Sequence, residues 1–174
     1  HNPHWRELFY RWFLGMVAHW RGIDKQHGNN TSPLLVGPQG YRKSTFCRIL
    51  LPPELRFGYT DSIDFKSKQE AERSLGRFFL INIDEFDQIN ANQQGFLKHL
   101  LQKPVANLRK PYGTTIQEMR RYASFIGTSN LKDLLTDPSG SRRFICIEDR
   151  SYPDKRHYQL SPALCPSHAR HHEG

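Results

Sequence analysis

The stretch Leu34-Leu35-Val36-Gly37-Pro38-Gln39-Gly40-Tyr41-Arg42-Lys43-Ser44-Thr45 constrains this chain more than any other. A short apolar run leads into a glycine-containing loop. The loop ends in Lys-Ser-Thr, ahead of a helix-compatible Phe46-Cys47-Arg48-Ile49-Leu50-Leu51. The pattern is that of a phosphate-cradling strand–loop–helix, G-x-x-x-x-G-K-[ST], with one departure: Arg42 stands where the second glycine is expected. The chemistry behind the pattern is electrostatic. Backbone N–H groups at a helix N-terminus have no partner within the helix, and they sit at the positive end of its dipole. Gly37, Gln39, Gly40, Tyr41, Arg42, Lys43, Ser44 and Thr45 are the candidate cradle. Lys43 would reach the β- and γ-phosphates of a nucleoside triphosphate, and Ser44 would ligate Mg²⁺.

Arg42 leaves two readings open. A glycine there costs nothing sterically, whereas a long side chain must turn away from the phosphates. The backbone N–H survives the change. Either the loop is degenerate and holds nucleotide weakly, or Arg42 is tolerated and adds positive charge. We expect tolerance.

A second motif follows. Residues 78–85, Phe-Phe-Leu-Ile-Asn-Ile-Asp-Glu, read as an apolar strand ending in two carboxylates. Asp84 would hold the hydration shell of Mg²⁺, and Glu85 would polarise an attacking water. A solvated acidic turn is the plain alternative, but its pairing with the upstream loop argues against coincidence. Asp87 is a spare carboxylate or, more commonly for such a residue, the cap of the next helix. Residues 122–130 read as another strand, ending in small polar residues. Asn130 would contact the γ-phosphate or the lytic water, or cap a helix over 131–135. Arg142 and Arg143 open a last strand through Ile147. A guanidinium at a γ-phosphate stabilises transition-state charge, although an arginine pair is also an ordinary ion-pair site.

The remaining segments supply the frame. Trp5, Leu8, Phe9, Trp12, Phe13, Met16, Val17 and Trp20 keep the spacing of one helix face, predicting an amphipathic helix over 3–21 packed on a core. Residues 33–36 read as a buried strand. Pro52-Pro53 must end the helix after the loop. Residues 56–60 suggest a strand, and Ser67-Lys68-Gln69-Glu70 suggests a capped helix that Gly76 ends. Residues 92–102 read as a helix, and 105–122 as a hairpin with turn residues at 110–114. This order predicts an α/β fold: a central, mainly parallel sheet flanked by helices, with a β-hairpin insertion before the strand that ends at Asn130. Ligand sites in such sheets lie beyond the carboxyl ends of the strands.

Charge narrows the partners. The formal charge is +8, which favours a polyanion. Between residues 98 and 121 stand six basic residues (Lys98, Lys103, Arg109, Lys110, Arg120, Arg121) against one acid, Glu118. Arg109, Lys110 and Tyr112 at the hairpin tip suit a DNA backbone and its bases, unless the hairpin is merely solvated. The three cysteines, Cys47, Cys146 and Cys165, are odd in number and scattered, so we expect no disulfide framework and a reducing, cytoplasmic setting. No run reaches membrane-spanning length and no signal peptide is visible. Residues 1–150 form the expected domain. Residues 151–174 read as a disordered tail, in which Cys165, His168, His171 and His172 lack the second cluster a metal site needs. Lacking an initiator Met, the chain reads as a fragment of something longer.

The stretches GPQGYRKSTF, INIDEFD, LRKPYG, SFIGTSN and DPSGSRRF, in that order, resemble the virulence-associated protein E family of bacterial mobile elements and prophages. The likeness covers roughly residues 5 to 150. It implies a P-loop NTPase of the AAA+/ASCE-like type, similar to superfamily-three helicases. It implies ATP and Mg²⁺ as cofactors, with Lys43 and Ser44 in the Walker A site and Asp84 and Glu85 in the Walker B site. Asn130 would be the polar sensor. Arg142 or Arg143 would be an arginine finger reaching a neighbouring subunit of a homo-oligomeric ring. Lys110 would face DNA in the channel. The expected function is an Mg²⁺-dependent ATPase acting on DNA as an oligomeric helicase-like motor. Two rivals are a regulatory or assembly module that binds nucleotide with little hydrolysis, suggested by Arg42, and a small P-loop kinase. The Asp84-Glu85 pair and the absence of an obvious arginine-rich lid weigh against the kinase.

Overall fold

In a computed structural model, residues 3–24, 26–109, 116–130 and 143–148 are described. Five parallel strands form the central sheet: β1 (Ser32–Val36), β2 (Tyr59–Thr60), β3 (Leu80–Ile83), β6 (Ser124–Ser129) and β7 (Phe144–Glu148), in the order β2-β3-β6-β1-β7. Strands β4 (Val105–Arg109) and β5 (Ile116–Arg120) pair antiparallel as a separate hairpin, inserted before β6 as expected. Helices α1 (Pro3–Arg21), α2 (Lys43–Ile49), α3 (Lys68–Arg77) and α4 (Ala91–Gln102) cover the sheet.

Side-chain alternation sorts the strands onto two cores. Leu34, Val36, Ile81, Ile83 and Phe125 point to one face, where α3, α4 and the hairpin supply Ala71, Leu75, Leu97, Leu100, Leu101 and Ala106. Leu80 and Ile126 point to the other, where α1 supplies Trp12 and Met16, α2 supplies Cys47, and Leu51 follows just after α2. Because both faces are buried, the strands read as nearly continuous apolar runs. Their shared direction brings the carboxyl ends of β1, β3 and β6 to one edge of the sheet.

The helix termini follow local chemistry. Ser67 accepts the Glu70 N–H at the start of α3. Asn90 and Gln93 form a reciprocal capping box at the start of α4. Three expectations change. Residues 53–58 form a 3-10 turn, so the second strand is only Tyr59–Thr60; the proline at position 53 favours a turn start over a ladder. Gly76 lies inside α3 rather than ending it, and its missing side chain leaves room for Met119 of the hairpin. On α1 the stripe is not fully buried: Trp12 and Met16 are, but Leu8 is exposed. Cys47 is free and buried, its pKa pushed up to about 12 by burial. The predicted helix 131–135 and the tail 151–174 lie outside the described residues.

Candidate functional site at the carboxyl edge of the sheet

The loop leaves β1 at Gly37, whose N–H bonds the Ser129 carbonyl 3.1 Å away. It then turns through two left-handed residues, Gly40 at φ +88° and Arg42 at φ 54°. Residues of left-handed backbone among right-handed ones turn successive N–H groups to one side, making a concave nest for anions. The position that the motif reserves for glycine is therefore a left-handed one, and Arg42 occupies it at a cost. Strain of this kind is worth roughly 1–3 kcal/mol and persists where the surroundings enforce it. The side chain is exposed, so it does not fill the cradle.

Lys43 opens α2 and folds back over the loop. Its Nζ donates to the Gly37 carbonyl (2.7 Å), the Pro38 carbonyl (2.8 Å) and Asn130 Oδ1 (2.8 Å). An ammonium group has three donors, and all are engaged. Burial lowers the Lys43 pKa, opposed by the negative charges of Asp84 and Asp87. Ser44 Oγ donates to Asp84 Oδ1 at 2.8 Å, and the Thr128 hydroxyl donates to the same oxygen. Loop, acidic strand end and sensor strand end are thus joined by direct side-chain bonds.

Glu85 is the other non-glycine residue with positive φ among those described, at 50°. Both such residues flank this site, as strained backbone tends to do. From Glu85 a 3-10 turn, Phe86–Gln88, sends Asp87 back toward β6. Asp87 Oδ1 accepts Ser129 Oγ (2.7 Å) and the Asn130 N–H (3.2 Å). It does not cap α4, a task that falls to Asn90. Burial would raise the Asp87 pKa, but the bonds from Ser129, Gln88 and Asn130 together hold it below the ordinary carboxylate value.

Lys43, Ser44, Asp84 and Asn130 therefore meet, with Glu85 beside Asp84 in sequence and exposed. Thr128 joins them without having been singled out, and Asp87, read as a spare carboxylate or a helix cap, joins them through Ser129 and Asn130. Their signal was the run Thr128-Ser129-Asn130 at a strand end, whose hydroxyls must find acceptors when buried. Ser44 Oγ and Asp84 Oδ1 are hard oxygen donors side by side, the type Mg²⁺ takes. Arg143 precedes β7 and is half-buried; Arg142 lies outside the described residues.

The basic stretch is another matter. Arg121 is 1% exposed and donates through Nε to the Ala123 carbonyl and through Nη1 to those of Leu100, Leu101 and Lys103. Arg120 Nη2 donates to the carbonyls of His19 and Trp20. Lys103 pairs with Glu72 at 2.6 Å, and Lys98 is buried. Four of the six cations counted toward a polyanion surface are thus spent inside the protein. Arg109 ends β4, while Lys110 and Tyr112 lie outside the described residues.

The sequence profile of the Virulence-associated protein E-like domain matches residues 1–161. The chain belongs to that family. Solved structures agree on the fold. The chain is similar to an apo structure of the NrS-1 C-terminal region at 16% identity and a TM-score of 0.52, with 86% of this chain covered. A second, A-form apo structure of that region gives 15% identity and the same TM-score. The chain spans little more than a third of either one, 37% and 36%. No curated protein sequence matches it.

Proposed function

We propose that this family member is an Mg²⁺-dependent P-loop ATPase that acts on DNA as an oligomeric, helicase-like motor in the replication of a mobile element. The observation that carries the reading is the meeting of Lys43, Ser44, Asp84 and Asn130 at the carboxyl edge of a parallel sheet. In this reading the loop N–H groups hold the triphosphate, and Lys43 exchanges its carbonyl partners for β- and γ-oxygens. Ser44 and Asp84 would hold Mg²⁺, which when bound neutralises charge on the β- and γ-phosphates. Glu85 orients and deprotonates the lytic water, and Asn130 reads the γ-phosphate. Arg143 or Arg142 is the finger offered to a neighbouring copy. DNA contact rests on Arg109, Lys110 and Tyr112 at the hairpin tip and on family membership, since the other cations of that stretch are internal. Among the described residues no helix is long and apolar enough to cross a membrane.

The strained Arg42 and the fully engaged Lys43 favour one second reading, a module that binds ATP without turning it over. A single experiment separates the two. ATP turnover with Mg²⁺ is measured with and without single-stranded DNA, in wild type, Lys43→Ala and Arg42→Gly. The motor reading expects DNA-stimulated turnover that falls about 100-fold or more in Lys43→Ala, the scale of removing one preorganised charge-stabilising donor. Turnover appearing only in Arg42→Gly would leave the binding module standing.

A further inference from the structure

Asp87 has no task in the mechanism just given, yet it is more tightly held than Glu85. Its two oxygens accept three bonds: Ser129 Oγ and the Asn130 N–H on Oδ1, and Gln88 Nε2 (2.9 Å) on Oδ2. The turn that presents it is fixed where it begins. Glu85 enters it in the left-handed region, and Phe86 is fully buried with its ring edge-on to Phe144, centroids 4.9 Å apart.

The position of its partners matters more. Strand β6 pairs with β1 as far as Val36↔Ser129. Asn130 is the first residue beyond that register, and its N–H is received by the Asp87 carboxylate. The Asn130 side chain then reaches Lys43 Nζ at 2.8 Å. One main-chain bond therefore stands between the acidic turn and the direction in which the Asn130 amide points.

We propose that Asp87 is a positioning residue, which fixes Asn130 through Ser129 Oγ and the Asn130 N–H and so couples the turn carrying Glu85 to the strand end that reads the γ-phosphate. The inference rests on the ATPase reading above. A charged acceptor suits the task because charge-assisted bonds are about twice as strong as neutral ones. An asparagine at 87 would keep Oδ1 as an acceptor for both β6 groups, and the exposed Gln88 side chain can rotate to meet its amide. Alanine would free both.

The test is a double-mutant cycle on steady-state ATP turnover, using Asp87→Ala, Asp87→Asn, Asn130→Ala and the Asp87→Ala/Asn130→Ala pair. Small misplacements at a reacting centre cost up to about 100-fold. We therefore expect Asp87→Ala to lower kcat by about 10- to 100-fold, with KM for ATP within about twofold. Asp87→Asn should recover most of that loss. The double variant should be no slower than Asn130→Ala alone, because the positioning has nothing left to position. Amide hydrogen exchange gives a second readout: the Asn130 N–H should exchange faster in Asp87→Ala than in wild type or Asp87→Asn. Wild-type kcat in Asp87→Ala, or losses that add in the pair, would overturn the inference while leaving the ATPase intact. Wild-type turnover no greater than that of Lys43→Ala would overturn the ATPase reading, and this inference with it.

Discussion

The phosphate-loop edge and the basic stretch from residue 98 to 121 look equally functional as sequence, and the structure treats them in opposite ways. At the loop edge, residues picked by spacing converge: Lys43, Ser44, Asp84 and Asn130 share hydrogen bonds. In the basic stretch, residues picked by charge disperse inward. Arg121 closes the C-terminus of α4, Arg120 that of α1, and Lys103 binds Glu72. The last carbonyls of a helix need donors, and a nearby cation meets both that need and the negative dipole end. A positive charge in the sequence thus has two customers, an external polyanion and the chain's own carbonyls. Spacing motifs encode a backbone geometry, whereas a charge count encodes none.

The sharpest way to break this contrast is Arg121→Met. If Arg121 is an internal anchor, methionine takes this donor from the carbonyls of Leu100, Leu101, Lys103 and Ala123 in a buried site, and only that of Leu100 keeps the Lys103 N–H among the described bonds. The loss should be about 3–5 kcal/mol, as for removing one partner from a buried charged network. For a domain of this size that lowers the thermal midpoint by about 10 °C or more, which calorimetry reads directly. Burial already draws the Arg121 pKa down to about 10, so the group remains a cation at neutral pH. A surface contact to DNA would behave differently. Its removal would leave the melting temperature in place and reduce the salt dependence of single-stranded DNA binding by about one phosphate contact.

From the loop side, the contrast is sharpened by Arg42→Gly. The left-handed backbone at φ 54° costs an arginine about 1–2 kcal/mol that a glycine does not incur. Against this, glycine's unfolded chain has more freedom to lose, roughly 0.5–1 kcal/mol. The net is a stabilisation of up to about 1.5 kcal/mol, measured by urea unfolding with an unchanged m-value. An Arg42→Ala variant should show no such gain, because alanine is strained at the same φ. Equal gains in both would mean that the side chain, not the backbone, is the source.

These two arginines also show what was legible. The strands along the chain, the parallel sheet and the hairpin insertion could be read because each depends on local pattern: alternation, caps and turn residues. The strand suggested over 56–60 was read too long, since one as short as Tyr59–Thr60 owes its extent to β3 beside it. Nor could the role of Asp87. Its partners Ser129 and Asn130 lie over forty positions away, and no local rule connects a turn carboxylate to a distant strand end. Arg121 was misjudged for the same reason.

The smallest effect tests the anchors from the other side. His19 on α1 is buried, and its Nδ1 has no hydrogen-bond partner. Burial lowers its pKa first; the cations of Arg121 and Arg120 lower it further, and Asp24 opposes them. A proton therefore binds the unfolded chain more readily than the folded one between the depressed value and the ordinary 6.5. Stability is full above 6.5 and is lost as pH falls through that window toward the folded value. The thermal midpoint should drop accordingly, and His19→Gln should flatten the drop. Arg121→Met should flatten it in part, by removing one nearby cation while burial remains. A profile unaltered by Arg121→Met would mean that burial, and not this guanidinium's charge, sets the His19 pKa.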